Sequence, residues 1–141
     1  MSRRTIIVIL AIAVFAILGL GWLYLQFDSP PSDTARAPMV AVKLPATYSA
    51  TAQDGMILFN RNCAECHGEN AAGSENGPPL VHKIYEPGHH GDAAFYLAAR
   101  NGVRAHHWNF GDMPPRPDVS EPEMAAIVTY VRELQQANGI F

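Results

Sequence analysis

Hydrophobic and polar positions fall into three regimes along the 141 residues. The first is a charge-free run from Thr5 to Leu25, preceded by Arg3 and Arg4. Its 21 residues span about 31 Å as a helix, which matches the roughly 30 Å hydrocarbon core of a bilayer. A cleavable export signal has an apolar stretch of only about 7–15 residues. "ARA" at 35–37 imitates a cleavage site but lies ten residues beyond Leu25, too far for the usual geometry. The pattern therefore predicts an uncleaved transmembrane anchor over residues 1–27. Arg3 and Arg4 keep the N-terminus cytoplasmic, Trp22 and Tyr24 suit the outer interface, and everything after Asp28 is exported.

The second regime, "DSPPSDTARAPMVAVKLPATYSA" (28–50), holds four prolines and many small residues without helical periodicity. It reads as a linker, with a second reading in which Val40 to Leu44 packs on the following domain as an extended arm. The third regime, 51–141, is periodic in the helical sense. Thr51, followed three residues later by Asp54, resembles a loose capping box and predicts a helix over about Ala52–Asn62, with Met56, Phe59 and Cys63 on one face and Gly55 as a notch beside them. Asp92–Arg100 predicts a shorter helix carrying Phe95 and Leu97, ended by Asn101-Gly102. "SEPEMAAIVTYVRELQQANG" has Ser120 as N-cap, Glu123 at N3, Pro122 in the first turn and Asn138-Gly139 as a stop. Its buried stripe is Met124, Ile127, Val128, Val131 and Leu134. No stretch alternates as a strand would, so the fold class is mainly α.

Charge narrows the function. Beyond the anchor there are eight Lys or Arg against thirteen Asp or Glu, a net of −5. That argues against nucleic acid, which wants a basic face. Cysteine usage narrows it further, because both cysteines lie in "NRNCAECHGEN" (60–70) with a histidine directly after the second. Structural zinc would need two more ligands, recruited irregularly from His82, His89 or His90 across a Gly/Pro-rich loop. A thioredoxin-like dithiol should follow a buried strand, and no β-branched run precedes Cys63. A disulfide leaves the histidine unexplained. Covalent haem accounts for all three residues: each thiol adds to one vinyl group, and His67 is delivered to the iron.

Residues 51–141 accordingly resemble a class I c-type cytochrome domain. Gly55 and Phe59 precede Cys63 by eight and four residues, as in that family's first helix. Ile127 and Tyr130 have the spacing at which its last helix crosses the first. The resemblance implies a cytochrome c fold around one covalent haem c. It also implies that "GPPL" (77–80) supplies a proline carbonyl to the second ring nitrogen of His67, most simply from Pro78, with Leu80 against the haem; Pro79 is the alternative. The sixth ligand is a thioether, an imidazole or nothing. In "NFGDMPPRP", two prolines stiffen the chain after Met113, and the family's ligand is a Met before Pro in this loop. Trp108 is expected on the haem edge or bonding a propionate through its indole N–H.

Five further histidines, His82, His89, His90, His106 and His107, depart from the plain pattern. They are read as surface groups in preference to a copper or other metal site, because adjacent histidines on extended chain point to opposite faces. A third reading has His106 or His107 displace Met113 from the iron. The expectation is a monohaem cytochrome of the inner (cytoplasmic) membrane, single-pass, with its haem domain on the periplasmic side. It carries single electrons between a donor and an acceptor redox protein, with iron held by His67 and Met113, and is no enzyme itself. The alternatives are a copper-handling or a redox- or gas-sensing haem protein, or the haem subunit of an oxidoreductase complex.

Overall fold

The computed structural model describes residues 37–141, together with Arg3, Thr5, Phe15 and Gly19. The expected anchor over 1–27 and the first part of the expected linker therefore lie, those four positions apart, outside the described residues. Among the described residues no helix is long and apolar enough to cross a membrane. The chain divides into two units, Met1–Ala35 and Arg36–Phe141.

The second unit is built from α1 (Ala50–Asn62), α2 (Ala64–His67), a 3-10 turn (Glu69–Ala71), a second 3-10 turn (Lys83–Tyr85), α3 (Asp92–Asn101) and α4 (Glu121–Ala137). Among the described residues the only β pairings are isolated bridges, Ser74 with Gly77 and Val103 with Met113. The core forms where α1 crosses α4. Gly55 makes that crossing possible: a Cβ there would stand 2.0 Å from the Ala126 carbonyl oxygen, so any side chain would force the helices apart. Phe59 and Tyr130, both fully buried, meet beside it with ring centroids 5.6 Å apart. Such burial contributes about 1.5–3 kcal/mol per large side chain. The predicted α4 stripe of Met124, Ile127, Val128, Val131 and Leu134 is buried throughout. Its N-terminus is capped as expected, the Ser120 backbone N–H and hydroxyl both donating to Glu123 Oε2 at 2.9 and 2.8 Å.

Two boundaries differ from the sequence reading. Helix α1 starts at Ala50, capped by Ser49 rather than Thr51, with Ser49 Oγ accepting from the Ala52 N–H at 3.2 Å. Tertiary contacts decide between the two hydroxyls, since the Ser49 N–H is held by Glu133 Oε2 at 3.1 Å and Tyr48 packs on Tyr130. The last part of the 28–50 linker is likewise seated on the domain as an arm. Met39 and Val40 donate to the Ala72 carbonyl at 3.0 and 3.2 Å, and Lys43 exchanges two bonds with the Asn138 side chain at 2.8 Å each. Val42 packs against the core. From Met39 onward the chain is therefore part of the domain rather than a tether to it.

One cation, its side chain only 12% exposed, ties the last helix to everything beneath it. Arg132 donates to Asp92 at 2.8 Å, to Gln135 and the His90 carbonyl at 2.6 Å each, and to the Tyr85 carbonyl at 2.8 Å, and it lies 4.9 Å from the Phe95 ring centroid. The fully buried Gln135 amide extends the network to the Leu80 carbonyl at 2.8 Å. Charge-assisted bonds of this kind are roughly twice as strong as neutral ones, so α4 holds the 80–92 segment in a fixed place.

Candidate functional site

Cys63 caps the end of α1, and its carbonyl accepts the N–H groups of Cys66 and His67 at 3.1 and 2.9 Å, so the C-x-x-C-H segment is itself one helical turn, α2. A turn of helix puts both thiols and the imidazole on adjacent faces. The chain then reverses through Asn70 and Ala71, both with positive φ (54° and 57°). Ser74, buried at 2% exposure, pins the reversal by donating to the Cys66 carbonyl at 2.6 Å. This returns Pro78 to His67, whose Nδ1 lies 2.9 Å from the Pro78 carbonyl oxygen. A carbonyl only accepts, so Nδ1 carries the proton and Nε2 presents a lone pair. Burial holds His67 below its usual pKa, against the opposing effect of the Pro78 bond, which keeps the ring neutral at pH 7.

All seven sequence-predicted residues, Cys63, Cys66, His67, Pro78, Leu80, Trp108 and Met113, line one cavity of about 460 Å³. That falls within the usual range of cofactor sites. Phe59, Met124 and Ile127 of the core form part of its wall, α3 contributes Phe95, Leu97 and Ala98, and the 103–114 loop adds its far side. Val103 and Met113 exchange both backbone bonds, at 3.0 and 2.9 Å, so Met113 is set at the closed end of that loop. Gly102, at φ +74°, brings its backbone against the Met113 carbonyl.

The wall also contains residues that no motif marks. Tyr85 and Arg116 lie in it, the Tyr85 hydroxyl pushed up in pKa by burial. Only the folded path of the 82–90 and 114–119 segments brings them here, so no local signal could have found them. His90, His106 and His107 line the same cavity, while His82 packs edge-on against Trp108 with centroids 5.2 Å apart.

The chemistry of the wall decides what the cavity can hold. Burial, opposed by Arg116 and reinforced by Cys66, pushes the Cys63 thiol up to about 11. A thiol so reluctant to ionise is unsuited to dithiol exchange, which needs a lowered pKa. The Trp108 indole N–H is buried without a well-formed hydrogen bond, a donor that an acidic group entering from the cavity mouth would satisfy. Two thiols and a neutral imidazole nitrogen on the wall of an apolar cavity are groups that could hold a covalently attached haem, and the Met113 side chain lies on the same wall. Residues 52–135 match the family model described as Cytochrome c.

The chain belongs to the cytochrome c family.

As a cytochrome c it holds covalently bound haem c and is an electron-transfer protein. The chain is also 34% identical over 116 residues to the subunit CcoP of the cbb3-type cytochrome c oxidase of Rhodobacter capsulatus, an alignment covering 78% of this chain and 33% of that relative. The chain therefore spans a third of the relative's length. With only two cysteines in the sequence, Cys63 and Cys66 are the residues that could carry the attachment in this cytochrome c. Pro78, not Pro79, supplies the carbonyl beside His67.

Packing around Met113 can be probed through its glycine neighbours. Gly102→Ala adds a Cβ 2.6 Å from the Met113 carbonyl oxygen in a backbone conformation that disfavours side chains, whereas Gly111→Ala, at φ +87°, meets nothing within 4 Å. Backbone strain alone costs on the order of 1–3 kcal/mol. Denaturant unfolding of the haem-loaded protein should show Gly102→Ala losing clearly more stability than Gly111→Ala. Equal losses would mean that Met113 is not packed there.

Proposed function

We propose that the chain is a membrane-tethered monohaem cytochrome c that passes single electrons between redox partners on the periplasmic side of the inner membrane, its iron ligated by His67 and Met113. The observation that carries this reading is that His67 and Met113 line the same apolar cavity while the Pro78 carbonyl fixes His67 with Nε2 free. The bound haem supplies a one-electron Fe(III)/Fe(II) couple. With haem bound, His67 would offer its neutral imidazole and Met113 its thioether to the iron, and the apolar lining would keep water out of the cavity. A His/Met pair raises the reduction potential and leaves no open iron position, which suits electron transfer rather than substrate chemistry. Met113 has the help it needs, since the Val103 pairing and the two prolines after it limit the disorder of a flexible side chain.

The partners follow from the kinship with an oxidase subunit, which supports a donor and an acceptor of the respiratory class. The tether rests on the charge-free run from Thr5 to Leu25 behind Arg3 and Arg4.

Met113→Leu keeps a similar volume, so stability should change by less than about 1.5 kcal/mol while the weak far-red sulfur-to-iron band of the oxidised protein disappears, the potential falls and the reduced form binds carbon monoxide. Met56→Leu, at a partly buried core position outside the cavity wall, should leave the band intact. A parent protein that lacks the band and binds carbon monoxide contradicts Met113 ligation. For the tether, the full chain should partition with membranes and require detergent, and deletion of residues 1–27 behind a cleavable signal should release a soluble protein with the same visible spectrum. Recovery of the full chain in the soluble periplasmic fraction would remove the anchor from this reading.

A further inference from the structure

The histidine pairs, which read as surface groups in the sequence, converge in three dimensions. The 86–90 segment is a turn, not extended chain: the N–H groups of His89 and His90 both donate to the Glu86 carbonyl, at 3.0 and 2.8 Å. The two rings consequently sit together, centroids 4.6 Å apart, instead of on opposite faces. His107, from the loop closed by Val103 and Met113, reaches them, its Nε2 3.3 Å from His89 Nε2. One nitrogen from each of His89, His90 and His107 lies within 4.8 Å of the other two.

The geometry points to a copper site formed by His89, His90 and His107 at the mouth of the haem cavity. Bonds of about 2.0–2.1 Å from imidazole to metal separate adjacent ligand nitrogens by about 2.9 Å in a square-planar and about 3.3 Å in a tetrahedral arrangement, and the His89–His107 pair stands at 3.3 Å. The other two separations, both within 4.8 Å, exceed these spacings by at most about 2 Å. The supporting bonds are also of the kind that metal-binding imidazoles require. His90 Nδ1–H donates to the Ile84 carbonyl at 2.6 Å, fixing its tautomer with Nε2 free. The His90 carbonyl is held by Arg132 at 2.6 Å, and the His107 loop is braced by Ala105 N–H donating to Asp112 Oδ1 at 2.8 Å.

The donor set selects the metal. Three imidazoles without thiolate or carboxylate suit late first-row ions, and among these copper stands highest in intrinsic affinity. Three protein ligands leave a position for water or an exchanging ligand. His106 belongs to the cluster's surroundings rather than to the set: its Nδ1 is engaged with the Arg104 carbonyl at 2.8 Å, and its ring packs on His107.

The test is a Cu(II) titration at pH 7 of the full-length, haem-loaded protein in detergent, read by the copper electron paramagnetic resonance signal and by metal analysis after dialysis. The expected result is one copper per chain at sub-micromolar affinity, weakened roughly 100-fold or more by His89→Gln or His107→Gln and retained in His106→Gln. Zinc offered in the same assay should bind less tightly. Absence of stoichiometric copper in the parent, undiminished binding in the His89→Gln/His107→Gln double variant, or a preference for zinc would each overturn the site. His89 is exposed and outside the cavity wall, so His89→Gln should keep the far-red sulfur band. Reading that band in the same samples separates failure of the copper site from failure of Met113 ligation.

Discussion

The hydrogen bond from His67 Nδ1 to the Pro78 carbonyl closes an eleven-residue excursion of the chain, and the rest of the site depends on that closure. It decides which nitrogen of the ring is free, and it draws the 68–81 loop across one side of the cavity. The loop in turn is held from below, because Leu80 and Val81 donate to the Ala71 carbonyl at 2.9 and 3.3 Å and Gln135 of α4 reaches the Leu80 carbonyl at 2.8 Å. Helix crossing, loop closure and imidazole orientation are thus one mechanical system. A neutral ring bonded at one nitrogen and buried is the form that binds iron, and such an arrangement raises its basicity toward the metal.

The opposite side of the cavity is built on different principles. There the backbone forms no regular element, and the chain from Val103 to Met113 is fixed at its neck, by the two-bond pairing of those residues and by Gly102 underneath. The loop tip carries His106 and His107, both exposed. Such a division keeps Met113 at the fixed neck and leaves the exposed tip as the part of the loop most open to change, because loops tolerate change that core elements do not.

Much of this is legible from local chemistry. The capping box of Ser120 and Glu123, the α4 stripe, the Asn101-Gly102 stop and the C-x-x-C-H turn are local codes, read within a few residues, and the structure places them as read. What stays hidden depends on chain segments far apart. Ser49 rather than Thr51 caps α1 because of Glu133, 84 residues away. The Met39–Ser49 arm resembles linker because its bonds go to Ala72 and Asn138, which no local pattern reveals. Adjacent Pro78 and Pro79 are equivalent by sequence and distinguished only by the loop path. The convergence of His89, His90 and His107 is invisible as long as 86–90 reads as extended chain; Arg132 and the Glu86 carbonyl hold it as a turn.

The most direct test of the central claim, that this fold closes around a haem joined to the turn Cys63–His67, is peptide mapping of the purified protein. Trypsin cuts after Arg61 and Lys83, releasing a single peptide, 62–83, that contains Cys63, Cys66, His67, Pro78 and Leu80. This peptide alone should carry the haem absorbance, with the mass of one haem added through two thioether bonds, and acidified organic solvent should extract none. An unmodified 62–83 peptide, or haem that extracts freely from the intact chain, would contradict it.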